Sequence, residues 1–346
     1  MNERNSYSIL MVNLPFAGHT NPTLGLARVL TDMGHRVTYI HSPAWREAVE
    51  NTGAHFVPYD DYPLFPRPFQ DRMRCWRAAY RTVLRIGAGY DCLLYEMLFV
   101  SGKALADRLG IVPHRIFSTF ALNEHVLEDF GRNGGLYLTS IFRFPRLRAL
   151  ISAPMSRRYG WRFRELEAEI VRNSPALNIT YTPRSFQVYA GEFPQSRYAF
   201  VGASIDGCRH EPCELPEGGG PLVYISLGTE LNKSERFFRR CVEAFGGTGV
   251  RVVMAIGNSV RPENLGPLPP TMMVRSRVPQ LEVLSQASLF ITHGGMNSVN
   301  EALFYGVPML VVPVGNDQPT VARRVEEPGL GEALETREAP PNVLRE

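Results

Sequence analysis

The sequence predicts an α/β protein of two doubly wound, Rossmann-like parallel-sheet domains. Three observations predict it. Strands that are apolar without alternation recur along the chain, amphipathic helices separate them, and one strand–turn–helix opening occurs twice. Strands apolar on both faces belong in parallel sheets that helices cover from either side. The length agrees, because 346 residues correspond to about two domains at roughly 100–200 residues each.

The first opening is the apolar stretch Tyr7 to Leu14, which runs into Pro15-Phe16-Ala17-Gly18-His19-Thr20-Asn21-Pro22. A helical pattern follows at Leu24, Leu26, Ala27 and Leu30. Further strands are expected at Arg36–His41, His55–Pro58, Cys92–Tyr95 and Ile116–Ser118, with helices over Ala44–Asn51 and Val100–Leu109. The second opening is Pro221 to Leu227, running into Gly228-Thr229 and then a helix that carries Phe237, Phe238, Cys241, Val242 and Phe245. Val250–Ile256, Met272–Val274, Leu289–Thr292 and Met309–Val312 read as the strands of this half. Asp206 to Pro221 holds three prolines and four glycines with little periodicity, which marks a joint. The expected domains are therefore 1–206 and 222–346, with 207–221 as linker.

Composition narrows the function. A hydrophobic share of 44% and a charged share of 21% are ordinary for a globular chain and exclude extended disorder. A bilayer span needs about 20 apolar residues. The longest uncharged apolar run, Ala302 to Asn316, has 15 residues and two prolines. Ile9 to Val12 faintly resembles a leader, but Asn13 and Pro15 interrupt it and no small-residue cleavage site follows. It reads as a buried first strand of a cytoplasmic protein. Cys75, Cys92, Cys208, Cys213 and Cys241 are odd in number and scattered, and none forms a CxxC pair. Free thiols are expected, with neither a disulfide framework nor a zinc site.

The net charge of +3 hides an asymmetry: residues 1–210 hold 25 basic and 18 acidic groups, and residues 211–346 hold 12 and 16. The halves should differ in surface and in partner. Arg77, Arg81 and Arg85 fall on one helix face. A solvated face is the favoured reading, ahead of contact with an anionic membrane surface or an acidic substrate. No recognised nucleic-acid motif accompanies the basic charge.

The segment richest in chemistry runs Leu289-Phe-Ile-Thr-His293-Gly294-Gly295-Met-Asn297-Ser298-Val-Asn-Glu301 and on to Pro308. It reads as strand, Gly-Gly turn and helix. Two glycines let backbone approach a ligand, and a helix start favours an anion such as a diphosphate. Ser298 adds a hydroxyl, and Glu301, one turn further on the face of Asn297, suits two ribose hydroxyls. The next strand ends in Pro313-Val-Gly-Asn-Asp317-Gln318, where a carboxylate and an amide at a strand's C-terminal end suit sugar hydroxyls. In the first half His19 follows the first strand directly, at the edge where such sheets bind ligands. An imidazole there can serve as general base if a carboxylate holds its other nitrogen. Glu96 is the best-placed partner, whereas Asp91 begins the same strand and belongs at the opposite edge.

These segments together resemble the macrolide glycosyltransferase subfamily of the UDP-dependent family 1 glycosyltransferases, which have the GT-B fold. The resemblance covers essentially the whole chain. It rests on Pro15 to Leu24, Ile225-Ser-Leu-Gly-Thr229, Val278-Pro-Gln280-Leu-Glu-Val-Leu284, Phe290 to Ser298, and Asp317-Gln318. It implies two domains facing across a cleft, with the acceptor in the N-terminal one and the nucleotide sugar in the C-terminal one. It implies an inverting transfer of a hexose, glucose foremost, from a UDP- or dTDP-sugar to a hydroxyl of a small hydrophobic natural product. His19 would take the acceptor proton with Glu96 as partner. Thr229, His293, Gly294, Gly295 and Ser298 would stabilise the diphosphate, and Gly228 and Asn297 would belong to the same donor site. Glu301 would hold the ribose, Arg277, Val278 and Gln280 the base and ribose, and Asp317 and Gln318 the sugar. Phe16, Phe65, Phe117, Phe120 and Phe142 would line an apolar acceptor pocket. No metal or other cofactor is implied beyond the nucleotide-sugar co-substrate, and no nucleic-acid partner; monomer and dimer both remain open.

Three departures from the family's pattern stand out. Glu96 occupies the place of the usual Asp. Arg277 stands where an aromatic residue commonly stacks on the base, although a planar guanidinium can also stack. After Pro340-Pro341 only a helix start remains, so the C-terminal domain is expected to lack its last helices. The competing reading is a truncated, catalytically weak protein that binds nucleotide sugars.

Overall fold

A computed structural model describes residues 6–64, 71–133, 145–205, 212–228, 234–335 and 338–345. Contacts divide the chain into two compact units. One comprises residues 1–128 and 140–204, the other residues 129–139 and 205–346. The second unit thus takes in a short stretch of the N-terminal half that no composition shift marks.

The first unit is built on a seven-stranded parallel sheet in the order β3-β2-β1-β4-β5-β6-β7. Its elements alternate: β1 (Ser8–Val12), α1 (Ala17–Asp32), β2 (Arg36–His41), α2 (Arg46–Glu50), β3 (His55–Pro58), α3 (Arg72–Ile86), β4 (Cys92–Glu96), α4 (Gly102–Leu109) and β5 (Val112–Phe117). Then come α5 (Glu124–Asn133), which passes into the second unit at Asp129, and α6 (Pro145–Tyr159), α7 (Leu166–Arg172), β6 (Leu177–Thr180) and β7 (Tyr198–Phe200). Successive strand residues face opposite sides, so an unbroken apolar strand serves two cores at once. Leu10 and Val12 of β1 join Leu93 and Tyr95 of β4 under Trp76, Ala79 and Val83 of α3. Ile9 and Met11 join Tyr39 and Ile116 under Leu24 and Ala27 of α1.

The same arithmetic explains the arginine stripe. On α3, Cys75, Ala79 and Val83 are buried, while Arg77, Arg81 and Arg85 point outward. Arg85 makes a two-bonded pair with Asp60 at 2.6 and 3.0 Å, and Arg81 reaches Asp61 at 3.4 Å. Partly neutralised in this way, the stripe fits the solvated face that the spacing favours.

The second unit holds a six-stranded parallel sheet in the order β10-β9-β8-β11-β12-β13. It contains β8 (Leu222–Ser226), α8 (Glu235–Phe245), β9 (Arg251–Ala255), β10 (Met272–Arg275), α9 (Gln280–Leu284), β11 (Leu289–Thr292), α10 (Met296–Tyr305), β12 (Met309–Val311), α11 (Gln318–Glu326), β13 (Gly331–Ala333) and α12 (Pro341–Arg345). The expected helix start at Pro341 is a helix, and Leu344 packs in the core with Phe237, Phe238 and Cys241 of α8. Among the described residues no helix is long and apolar enough to cross a membrane.

Candidate active site

Both sheets share one topological device. In each, the chain winds outward from a central strand in one direction, returns, and winds outward in the other. The crevice where the winding reverses lies between β1 and β4 in the first sheet and between β8 and β11 in the second. Such switch points, at the carboxyl ends of the strands, are where open α/β sheets bind ligands. His19 and Glu96 lie at the first of these places, and His293, Gly294, Gly295, Ser298 and Glu301 at the second.

In the first unit, β1 ends at Val12 and α1 begins at Ala17, which puts His19 in the first turn of the helix. β4 ends in Glu96, and β5 ends one residue before Ser118. Because β1, β4 and β5 are neighbours, their ends bring these three residues together. His19 Nδ1 lies 2.7 Å from Glu96 Oε1, and Glu96 is fully buried while the His19 ring is about a quarter exposed. The longer side chain of Glu therefore closes the contact. Asp91 is at the opposite edge of the sheet, where its carboxylate accepts the Ser8 backbone N–H at 2.8 Å.

Ser118 is a functional candidate that the sequence reading missed. Its hydroxyl donates to Glu96 Oε1 at 2.8 Å, and its Oγ lies 2.6 Å from His19 Nδ1. The other carboxylate oxygen, Oε2, accepts the Leu98 backbone N–H at 2.8 Å. A serine, a histidine and a carboxylate suggest a hydrolytic triad, but the geometry is wrong for one. In such a triad the serine and the acid sit on opposite ring nitrogens, whereas here both face Nδ1. The arrangement directs Nε2, the other nitrogen, to any proton transfer.

Beneath His19 lies a buried polar scaffold. Asn13 Nδ2 donates to the His19 carbonyl at 3.1 Å and to Thr23 Oγ1 at 3.0 Å. His41, at the end of β2, accepts the Ser42 N–H on Nδ1 at 2.8 Å and meets Thr20 Oγ1 through Nε2 at 3.0 Å. Complete burial pushes the His41 pKa down to about 3, because the charged imidazolium is poorly solvated there. The scaffold fixes the first turn of α1 with neutral groups.

The expected acceptor pocket is corrected in part. Phe117 and Phe120 have no accessible surface. Phe120 stacks on Phe186 with ring centroids 6.0 Å apart, and the Arg115 guanidinium covers Phe117. Both rings are buried in the core. Phe16 caps α1 and stands edge-on to the His19 ring at 6.1 Å. Phe65 and Phe142 lie outside the described residues.

At the second switch point the Gly-Gly turn has a steric reason. A Cβ on Gly228 would lie 2.7 Å from the His293 ring, and one on Gly295 would lie 2.5 Å from it. Gly294 has φ +82°, and a Cβ there would meet Val311 Cγ1 at 2.8 Å. The turn folds tightly around His293 and leads into α10, whose first N–H groups lie at the strand edge. Thr229 lies outside the described residues.

A polar chain crosses from β8 to α10. Tyr224, stacked on Phe290 at 4.8 Å, donates its hydroxyl to Gln280 Oε1 at 3.1 Å. Gln280 Nε2 then donates to Ser298 Oγ at 3.1 Å and to Glu301 Oε2. Asn297 Nδ2 donates to Glu301 Oε1 at 2.9 Å, one helical turn away as the spacing implied. Each oxygen of the buried Glu301 thus holds an amide donor. Gln318 differs from expectation: it is buried, and its carbonyl oxygen accepts the backbone N–H groups of Val314 and Gly315 at 2.8 and 3.3 Å. Its oxygen closes the loop. Asp317 is half-buried at the N-cap of α11, Arg277 is exposed and Val278 half-buried. Among the described residues no three His, Cys, Asp or Glu side chains group as metal ligands.

Two doubly wound units with polar constellations at both switch points define a two-domain α/β protein built to bind ligands at its strand ends. The chain belongs to the family described as UDP-glucuronosyl and UDP-glucosyl transferases, whose profile matches residues 207–342. It is 35% identical to the NDP-glycosyltransferase YjiC of Bacillus licheniformis over 98% of this chain and 87% of that protein. It is 30% identical to the oleandomycin glycosyltransferase of Streptomyces antibioticus over 98% of this chain and 81% of the relative. The crystal structure of the glycosyltransferase of kitacinnamycin superposes with a TM-score of 0.83 at 30% identity, covering 99% of this chain and 89% of that one. The protein is therefore a glycosyltransferase of GT-B fold, and its relatives act on natural products with nucleotide sugars.

Proposed function

We propose that the protein transfers a hexose, glucose foremost, from a UDP- or dTDP-sugar to a hydroxyl of a small hydrophobic natural product, with inversion and with His19 as general base. The observation that carries the reading is the 2.7 Å contact between His19 Nδ1 and the buried Glu96 carboxylate. With Nδ1 occupied by the carboxylate, Nε2 takes the acceptor hydroxyl's proton while the oxygen attacks the anomeric carbon. The imidazolium that forms is stabilised by Glu96. The C–O bond to the diphosphate breaks as the new one forms, and the nucleoside diphosphate leaves with the electron pair.

Charge on the leaving diphosphate falls to the start of α10, His293 and Ser298, and the sequence motif adds Thr229 to them; such groups act by electrostatic stabilisation. In this reading the donor's ribose meets Glu301, its base Arg277, Val278 and Gln280, and its sugar Asp317 and the Gln318 NH2. No resident metal is assigned a part. Phe16, beside the base, belongs to the acceptor side.

The test is a donor panel of UDP-glucose, dTDP-glucose and UDP-glucuronate against a mixed library of phenolic and macrolide acceptors, read by mass spectrometry. Wild type should add a hexose mass to at least one acceptor. His19→Ala should lose transfer by about a hundredfold or more while UDP still raises its melting temperature. Full transfer by His19→Ala would remove the base assignment. UDP binding by the wild type without transfer or donor hydrolysis would favour the catalytically weak alternative.

A further inference from the structure

We propose that Ser118 is a positioning residue for the base: its hydroxyl pins the Glu96 carboxylate and fixes His19 in the tautomer that carries its proton on Nδ1. The inference rests on the reading of His19 as base and adds a third member to the pair. The argument is a proton count. A serine hydroxyl has one proton, and Ser118 places it on Glu96 Oε1 at 2.8 Å. The proton in the 2.6 Å contact between Ser118 Oγ and His19 Nδ1 must then come from the ring. Glu96, an ionised carboxylate, only accepts, so its 2.7 Å contact to the same nitrogen requires the same Nδ1–H. Nε2 is left with the lone pair that a base needs.

Ser118 also answers the question that Glu96 raises. A Glu has one more torsion than an Asp, and that freedom would let the carboxylate wander. Here Ser118 takes Oε1 and the Leu98 N–H takes Oε2, so both oxygens are fixed. Ser118 is itself held, at 5% exposure, directly beyond β5, and the carbonyl of the preceding Phe117 accepts the Tyr181 N–H at 3.3 Å. The titratable groups near the carboxylate from β2 and from the end of β6 are the phenols of Tyr39 and Tyr181, which burial keeps protonated. His41, below the helix turn, stays neutral.

The hydroxyl also draws charge from Oε1. Without it, the carboxylate would hold an imidazolium more tightly, and His19 would gain its proton at higher pH. The test reads this directly. The His19 ring nitrogens are followed by proton–nitrogen correlation through a pH titration in wild type, Ser118→Ala and Ser118→Thr, with His19→Asn assigning the signal. No donor or acceptor is needed, so the result stands apart from whether transfer occurs.

The expected results are an Nδ1–H tautomer in wild type and a His19 pKa raised by about half a unit or more in Ser118→Ala, read as a shift in proton affinity. Ser118→Thr, which keeps the hydroxyl, should return the titration towards wild type. With any donor–acceptor pair that turns over, Ser118→Ala should lower kcat about tenfold, because the unpinned carboxylate no longer holds the ring in one place. KM for both substrates should stay within about twofold, and the acidic limb of the rate profile should move up in pH. An Nε2–H tautomer in wild type, an unmoved titration in Ser118→Ala, or identical behaviour of the Ala and Thr variants would overturn the proposal. If Ser118→Ala does not fold, Ser118→Cys, whose thiol is a weak donor, replaces it against Ser118→Thr. Transfer surviving in His19→Ala would remove the base reading and leave the tautomer result standing.

Discussion

The two constellations occupy the same place in their sheets, at the reversal of strand order, yet they are built differently. The N-terminal one consists of single side chains from three strand ends. His19 and Glu96 are 77 residues apart, and Glu96 and Ser118 are 22 apart. The C-terminal one is a continuous turn and helix, residues 293–301, to which Gln280 and Tyr224 are joined by hydrogen bonds. One site concentrates its chemistry on a titratable ring. The other distributes it over backbone N–H groups, amides and hydroxyls. Damage should therefore be severe and specific in the first, graded and shared in the second.

Glu96→Gln gives the sharpest contrast. On the proposed mechanism the variant keeps shape but loses the charge that would stabilise an imidazolium, and the amide can present its NH2 to Nδ1 and reverse the tautomer. A fall in kcat of about a hundredfold is expected, the scale of misdirected general-base catalysis, with donor KM unchanged. Steady-state kinetics with any active donor–acceptor pair checks it. A rise in donor KM instead of a fall in kcat would break the division of labour between the units.

Gly294→Ala probes the distributed site and should be milder. A left-handed residue with a Cβ costs about 1–2 kcal/mol, and the new methyl would press on Val311 at 2.8 Å. A lowered melting temperature and a weaker stabilisation by UDP should appear together, with transfer reduced in proportion to donor occupancy. Loss of kcat at saturating donor would show that the turn shapes the transition state as well as the binding.

The same contrast decides what was legible in the sequence. The turn at Gly294 and Gly295 could be read because its parts are neighbours in the chain: a strand, two glycines, and polar residues at helical spacing. His19 and Glu96 could be located because each ends or follows an apolar strand, and parallel sheets place such residues at one edge. Ser118 could not, because a serine after a strand carries no signal until the order β1-β4-β5 is known. The aromatic residues failed for a related reason. Composition alone does not say whether a ring such as Phe117 or Phe120 lines a pocket or fills a core. Gln318 shows the same limit, since only the fold reveals that its oxygen closes its own loop. β6 and β13 were not legible because Asn178 and Glu332 interrupt their apolar residues, whereas the equally short β11 and β12 are unbroken.

The smallest expected effect concerns the support beneath the first site. His41 is neutral in the folded chain with a pKa of about 3, against 6.5 for the free side chain. Below about pH 6.5 the unfolded chain binds a proton that the folded chain refuses. Stability is therefore complete above that pH and declines by about 1.4 kcal/mol per unit as pH falls towards the folded value. His41→Asn keeps an acceptor for the Ser42 N–H but has no proton to gain. Urea unfolding at pH 7 and pH 4.5 should show a steeper loss in wild type than in the variant. Because His41 holds Thr20, next to His19, acid should disturb the base's helix turn before the donor-side turn, and limited proteolysis at pH 4.5 should cut first within residues 1–128. Parallel pH dependence in the two proteins, or first cleavage in the second unit, would show that the buried scaffold is not what makes the N-terminal site acid-sensitive.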